Sequence, residues 1–599
     1  MTGPGRSRWK RHLVTVLAVA LLGACASRQR ATPAPLPIFQ PVPRPAPAAS
    51  GAARAPEPIA PAPAIASPVR TPPAVVVTPI PAPIVPAAVA ARFPEPAVSF
   101  ATPAFEPGRT TFTTNAELRN IVHGLERGAA IGERATAVTV LALGATPAGT
   151  PIEALAFSRP PVAPALAGTP VTTNGPARRP TVLILAAQHG DEPAGTEALI
   201  VVAQELAAGR PADLLDRVDV VLLPRANPDG AAAFTRGAAD GTDINRDHFL
   251  LTTAEARAIA QLHAEFAPVV VLDLHEYPVG GAFTAKFGGL QRFDALLQYA
   301  TTANLAPFVT KAAEEWFRQP LLANLRSAGL SVDWYATVSA DAADRTLTMG
   351  SVGPQVGRNA SGLRNEVSLL LESRGGGLGR VDLKRRVQSH VVAVTSVLAS
   401  AARHADDLVK LRQFVDRDVA SHACQGQVIV EAAPTPSEYT YAMIDPASGE
   451  IRRINVAWES ALQLRTLKSR PRPCGYWLAA SENEAVRRLR LLGIEVRQFD
   501  ELGELRAEGY REVGREALAG GAEANAGAAT RLKVQMLPAL LDIAPGGYYV
   551  SLEQPLANLA VAVLEPESPA SFAANGVIAD LAAEARILSR PSIRMSALP

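Results

Sequence analysis

Cysteine is scarce in this chain, with three residues in 599. A disulfide-dense scaffold is therefore excluded. Long apolar runs are lacking as well: the one near the N-terminus, Leu13 to Leu22, is too short to span a bilayer comfortably, and no second candidate span follows. There is no basic stripe with interleaved aromatics and no recognition motif, which removes nucleic acid from the candidate partners. No internal repeat is evident. What remains is a chain with 48% hydrophobic residues, ample for a large core and long enough for several domains.

The formal charge of +2 misleads, because Arg6, Arg8, Lys10 and Arg11 precede the apolar run, and removing these four leaves −2. Basic stretch, apolar run and small residues together have the layout of a secretory signal. Leu22-Gly23-Ala24-Cys25 resembles the lipobox of bacterial lipoproteins. That resemblance implies a signal peptide over 1–24, cleavage before Cys25 and acylation of Cys25, with a plain signal or an uncleaved anchor as the alternatives. Ala26 after the cysteine favours the outer membrane, facing the periplasm. With Cys25 lipidated, Cys424 and Cys474 remain as a possible disulfide or as two separate buried thiols.

Pro33 to Pro107 holds 22 of the 52 prolines with alanine, valine and few charges. Such a segment favours polyproline II and packs no core, so residues 25–112 read as a disordered stalk. Fully extended it reaches on the order of 200 Å. Structured sequence is expected from residue 113, with a helix starting at Asn115 and β runs at Ala137 to Leu143 and Pro151 to Phe157.

From Pro180 the pattern becomes strand, turn, helix. The run Val182 to Ala187 stops at Gln188-His189-Gly190-Asp191-Glu192, and helical spacing of apolar residues follows through Leu206. Val218 to Leu223 is a second such strand, and Val269 to Leu274 a third, ending in His275-Glu276-Tyr277. Val367 to Leu371 ends in Glu372. The alternation predicts an α/β fold: a mixed, mostly parallel sheet covered by helices on both faces. Ligands in such sheets gather beyond the carboxyl ends of the strands, and three strand ends here deliver metal-competent or basic groups.

Two histidines and a glutamate can hold zinc with a coordination position left open. A separate carboxylate can then move the proton of an attacking water, and cationic donors can meet the oxyanion. HxxE alone is weak; its alternative is an ordinary surface turn. The ordered set, however, resembles the zinc carboxypeptidase family, the carboxypeptidase A-like metallopeptidases, over roughly residues 115 to 405.

The resemblance implies His189, Glu192 and His275 as ligands of one Zn2+ and Glu372 as general base. It implies Asn245 and Arg246 as the grip on a peptide's terminal carboxylate, and Asp243 as the acid that orients His189. Arg236 matches the arginine that supports the oxyanion, with Arg225 as its rival. Asp273 and Glu276 read as supporting or solvated groups rather than ligands. The family's mobile tyrosine has no match between Met349 and Leu371; Tyr335 is the nearest before it and is not assigned. Arg358, Asn359 and Arg364 either contact substrate or form a solvated loop.

The expected domains are thus 113–408, catalytic, and 409–599, an accessory α/β region whose chemistry is unreadable. Implied partners are a peptide or cell-wall peptide and the membrane, through the lipid; oligomeric state is not readable. The competing functions are a zinc-dependent deacylase of N-acyl amino acids and a non-catalytic envelope-binding lipoprotein.

Overall fold

The structure is a computed structural model that describes residues 85–128, 135–159, 179–339, 341–517 and 530–598. The segment expected to be a signal peptide, Cys25 and the expected stalk up to residue 84 lie outside the described residues. The chain divides into two units. The first, Met1–Arg44 with Pro161–Arg178, also falls outside them; every described residue belongs to the second, Pro45–Pro160 with Arg179–Pro599. No described helix is long and apolar enough to cross a membrane.

Eight strands form the central sheet: β1 (Ala137–Ala145), β2 (Pro151–Ser158), β3 (Thr181–Ala186), β4 (Asp219–Leu223), β5 (Val270–Pro278), β6 (Ala295–Tyr299), β7 (Val332–Trp334) and β8 (Val367–Gly376). Their order across the sheet is β1-β2-β4-β3-β5-β8-β6-β7. The central neighbours β4, β3, β5 and β8 run parallel, while β1, β2 and β6 pair antiparallel at the flanks. Central strands β3 and β4 are buried along their whole length, which is why their sequences read as unbroken apolar runs rather than as alternation.

Helices α1 (Asn115–Arg127), α2 (Ala194–Ala207), α3 (Pro228–Ala233), α4 (Ala254–Phe266), α5 (Gly357–Leu363) and α6 (Leu383–Arg403) accompany the sheet. Helix α1 starts at Asn115, as expected. Thr114 is the cap: its hydroxyl accepts from Glu117 N at 3.2 Å and Glu117 Oε2 accepts from Thr114 N at 2.8 Å, a reciprocal box.

Two expectations about boundaries are revised. Residues 85–112, assigned by composition to the stalk, pack on the domain. Phe93 is 6% exposed, joins Val89 and Ile444 in a small core, and lies under the Arg374 guanidinium at 3.8 Å from the ring centroid. The buried Glu197 carboxylate accepts hydrogen bonds from the Thr102 and Thr113 hydroxyls and from Thr113 N. Proline density hid the few apolar and threonine anchors between the prolines.

The boundary at 408 also dissolves. Helix α7 (Ala405–Ser421) runs through it, and one continuous core joins Leu272 and Leu371 to Val428, Tyr476, Val550 and Phe572. Beyond α7, β9 (Gln427–Ile444) and β10 (Ile451–Pro471) form one long hairpin. Pro434 and Pro436 are tolerated because the register shifts near them, between Ala433 and Thr435. The hairpin reaches back into the first region: Leu347–Thr348 pairs with Trp458–Glu459, and Leu290–Gln291 with Ile444–Met443. A third sheet of seven strands completes the C-terminal region, and Cys424 and Cys474 are joined as a disulfide.

Phe93→Ala tests the packed strap. Emptying this buried site is expected to lower unfolding stability by about 3 kcal/mol, measured by denaturant unfolding of the full chain; an unchanged midpoint would mean that the segment does not belong to the core.

Candidate active site

The site is built where the parallel strands end side by side. Ala186, the last residue of β3, lies opposite Leu274 of β5, and the next residue, His275, lies opposite Glu372 of β8. The turn after β3 then supplies His189 and Glu192. That turn is tight because Gly190 lies against the backbone at Gly230: a Cβ added at Gly190 would meet the Gly230 carbonyl carbon at 1.9 Å. Asn227 fastens the other side of the turn, accepting from Gly230 N at 2.8 Å and donating to Gly237 O at 2.9 Å.

His189, Glu192 and His275 come together, their ligand-capable atoms all within 4.8 Å of one another. His275 is 1% exposed. Its Nδ1 lies 3.1 Å from His189 Nδ1 and 2.9 Å from Glu192 Oε2, and His189 Nδ1 lies 2.7 Å from Glu192 Oε1.

The opposite ring nitrogens are held by acids. His189 Nε2 is 3.2 Å from Asp243 Oδ1, and His275 Nε2 is 2.9 Å from Asp273 Oδ2. A carboxylate on Nε2 keeps the proton there and turns the Nδ1 lone pair inward. Two lone pairs and a carboxylate then face one point, which suits a cation. Ligand atoms around zinc at ~2.1 Å in a tetrahedral shell are roughly 3.3 Å apart, close to the spacing of the two Nδ1 atoms.

Behind His275 runs a buried chain that sequence reading did not find. Gln188 Nε2 donates to Asp273 Oδ2 at 2.7 Å, and Gln188 Oε1 is 2.9 Å from His248 Nε2. Burial, chiefly, lowers His248 to about 4, so this imidazole is neutral near pH 7. Gln188 flanks His189 and His248 follows Arg246 by two positions, but neither lies in a periodic pattern that would mark it.

Arg236 and Arg225 are now distinguished. Arg236, half-exposed, donates from Nη2 to Asp243 Oδ2 at 3.0 Å and sets Nη1 3.3 Å from His189 Nδ1 and 3.6 Å from Glu192 Oε1. Arg225 is buried and donates instead to Asn115 Oδ1 and Thr113 O, both at 2.7 Å, so it ties down the start of α1. Asp243 caps the turn Ile244–Arg246, accepting from Asn245 N at 2.9 Å.

Asn245 is buried: its Oδ1 accepts from Gly357 N at 2.7 Å and its Nδ2 packs 3.2 Å from His275 Nε2. It therefore ties the turn to His275 and to α5, whereas Arg246 is only partly buried.

The charges sort themselves by neighbours. Burial favours neutral acids at Glu192 and Asp243. For Glu192 the two imidazoles outweigh it, and for Asp243 His189 and Arg236 do, so both carboxyls stay ionised well below their usual range. Glu372 is the opposite case. Burial pushes it up to about 7, with His275 pulling it down and Glu192 pushing it up by lesser amounts. A carboxyl that titrates near neutrality at a strand end has the property a general base requires.

Asp273 supports His275, while Glu276 bonds away from the point the ligand atoms face, to Arg386 at 2.6 Å and to Ala194 N at 2.7 Å. The residues weighed as a solvated loop are not solvated: Arg358, Asn359 and Arg364 are all buried. Tyr335, left unassigned by spacing, sits at the end of β7 with Arg358 5.9 Å from its ring centroid and with Glu372, Arg246 and Arg236 within electrostatic reach.

A family model described as zinc carboxypeptidase (peptidase M14) matches residues 130–268, taking in His189 and Glu192 and the segment to Arg246. Carboxypeptidase 2 of Trichophyton rubrum is 29% identical over 413 residues, 68% of this chain and 75% of its own length. Carboxypeptidase 2 of Trichophyton equinum is 29% identical over 398 residues, 65% of this chain and 72% of its own. These matches support the zinc carboxypeptidase family. This chain is an enzyme, a peptide hydrolase of the metallocarboxypeptidase type.

Among solved structures, a metallo-carboxypeptidase from Burkholderia cenocepacia is 18% identical, covering 47% of this carboxypeptidase and 68% of that chain with a TM-score of 0.32. One from Pseudomonas aeruginosa, in complex with (2-guanidinoethylmercapto)succinic acid, is 20% identical over 49% and 68% with a TM-score of 0.34. At such scores these likenesses carry no weight beside the family match. The match ends before His275 and Glu372, and it is the strand register of the enzyme that brings those two to the same place.

Gly190→Ala checks the turn of the carboxypeptidase. The added methyl meets backbone, which cannot swing aside, and a loss of about 2 kcal/mol or more is expected, read from thermal or denaturant unfolding. A variant as stable as the parent would overturn the close approach to Gly230.

Proposed function

We propose that the protein is a lipid-anchored zinc exopeptidase that removes C-terminal residues from peptides. The observation that carries this is the convergence of His189 Nδ1, Glu192 and His275 Nδ1 on one point, with both outer ring nitrogens held by acids and Glu372 beside His275 in strand register. His189, Glu192 and His275 would hold the metal, which when bound supplies Lewis acidity toward water and carbonyl oxygen.

The remaining steps belong to side chains. Glu372 takes the proton of the attacking water and returns it to the leaving amine. Arg236, fixed by Asp243, offers Nη1 to the charge that develops on the scissile carbonyl oxygen. Arg246 pairs with the free carboxylate of the substrate in bidentate fashion. Asn245 keeps the turn that carries Arg246 in register with His275.

Cleavage before Cys25, its acylation and a place in the outer membrane facing the periplasm belong to the same proposal. Their support is the order of basic stretch, apolar run and Leu22-Gly23-Ala24-Cys25. A cell-wall peptide is a substrate suited to that place. Labelling of cells with a radioactive fatty acid should mark the protein, and Cys25→Ala should abolish the label; labelling that survives the change would refute the anchor. The comparisons favour neither the deacylase nor the non-catalytic alternative.

Purified protein is expected to hold one zinc per chain and to cleave free-acid peptides. Glu372→Gln should lower turnover by about 100-fold or more while zinc content stays the same. Equal activity on C-terminally amidated peptides would remove the role given to Arg246, and faster release of N-acyl groups from amino acids would replace the peptidase by the deacylase.

Zinc affinity should depend on pH in one direction. Burial works against charged imidazoles here, but Glu192 raises His189, and Asp273 with Glu192 raises His275 well above its ordinary value. Without metal both rings therefore hold their protons above the usual range, and a metal must displace them. Affinity should rise with pH through the neutral range and fall toward acid. Competition titrations with a zinc chelator at about pH 6 and pH 8 test this, and equal affinities would refute it.

A further inference from the structure

Arg358 is 3% exposed, yet among the described residues no carboxylate comes within ion-pair distance of it. Other arginines as deeply buried are paired: Arg586 with Glu565 at 3.0 Å, Arg386 with Glu276 at 2.6 Å, Arg374 with Asp382 at 2.9 Å. Arg225 and Arg364 also lack a carboxylate, but they bond to Thr113 O and Asn115 in one case and to Leu492 O in the other. Arg358 alone of these three is set among the groups of the active site. Its Nη2 donates to Ser351 O at 2.5 Å, and its Nε has no hydrogen-bond partner.

The surroundings of Arg358 are built and fixed. Gly357 N is held by Asn245 Oδ1 at 2.7 Å, Asn359 Oδ1 accepts from Thr301 N at 2.8 Å, and Asn359 Nδ2 donates to Gly353 O at 2.8 Å. The guanidinium faces the Tyr335 ring at 5.9 Å. Gly350 packs closely against both, since a Cβ there would stand 2.7 Å from Tyr335 Cε1 and 3.1 Å from Arg358 Nη2. Burial, chiefly, and the charge of Arg246 lower Arg358 to about 10 against the opposing pull of Tyr335, Glu372 and Asp273, so it remains a cation at neutral pH.

A buried cation beside a second cation is stabilised when an anion enters. The α-carboxylate of a peptide is one anion and is satisfied by one guanidinium fork, that of Arg246. A second fork is matched to a second carboxylate. Building on the carboxypeptidase reading above, we propose that Arg358 is a specificity-determining residue that pairs with the side-chain carboxylate of the substrate's last residue, and that the preferred substrates are peptides ending in glutamate or aspartate. A neutral side chain there leaves the guanidinium unpaired, and a basic one is repelled.

The test uses the metal-loaded full chain and matched free-acid peptides that differ only in ending with Glu, Gln, Leu or Lys. Wild type should favour Glu over Gln by about 100-fold in kcat/KM, as sites built to bond a polar group reject the analogue lacking it. Arg358→Gln should bring that ratio close to one, and Arg358→Lys should keep part of it. Calorimetry with L-glutamate and L-glutamine reads the same preference without turnover, and needs no variant to fold.

Wild type that cleaves and binds Glu and Gln alike overturns this inference and leaves the carboxypeptidase reading standing. Equal loss on all four peptides in a well-folded Arg358→Gln variant overturns it too, because the residue then serves the α-carboxylate or the fold. Cleavage of none of the free-acid peptides overturns both readings.

Discussion

The register between parallel strands β3, β5 and β8 is the constraint on which the active site depends. Because Ala186 lies opposite Leu274 and Glu372 opposite His275, groups separated by 97 residues of chain reach the same edge at the same height. A slip of one residue in β5 would turn His275 to the other face of the sheet and set Leu274 or Glu276 opposite Glu372. The apolar runs of these strands pin that register from both sides, since any slip would move polar ends into the core.

Around that edge the electrostatics are layered. Anionic Glu192, Asp243 and Asp273 stand between imidazoles and guanidiniums, and each is kept ionised by what it touches. Glu372 is the exception, pushed up by burial. The contrast between carboxyls a few residues' width apart assigns them different work: those locked in pairs orient, and the one left without a locked partner is free to exchange a proton. Asn245 belongs with the orienting groups, because its Oδ1 is already engaged by Gly357 N.

The parts of the site carried by local pattern were legible in the sequence. His189, Glu192, His275 and Glu372 each follow an apolar run, and an apolar run that stops is a local signal. Asp243 and Arg236 came from motif order, and the structure joins them to His189. What stayed hidden depends on contacts across sheet order. Tyr335 reaches the site because β7 lies at the far edge beyond β6, a neighbourhood no spacing along the chain encodes. Arg358 and Asn359 look like loop residues because they follow Gly350, Gly353, Pro354 and Gly357, yet both are buried. In β9, prolines that mark turns in isolation are accepted where the ladder shifts register.

The hairpin of β9 and β10 also sets the order in which the enzyme becomes complete. Leu347–Thr348, which lies between Tyr335 and Arg358 in the chain, finds its strand partner only at Trp458–Glu459, and Met349 N donates to Glu459 O at 3.1 Å. During synthesis the ligand set and Glu372 leave the ribosome well before that partner exists. A nascent chain thus carries His189, Glu192, His275 and Glu372 before it has the strand partner that frames Leu347–Thr348.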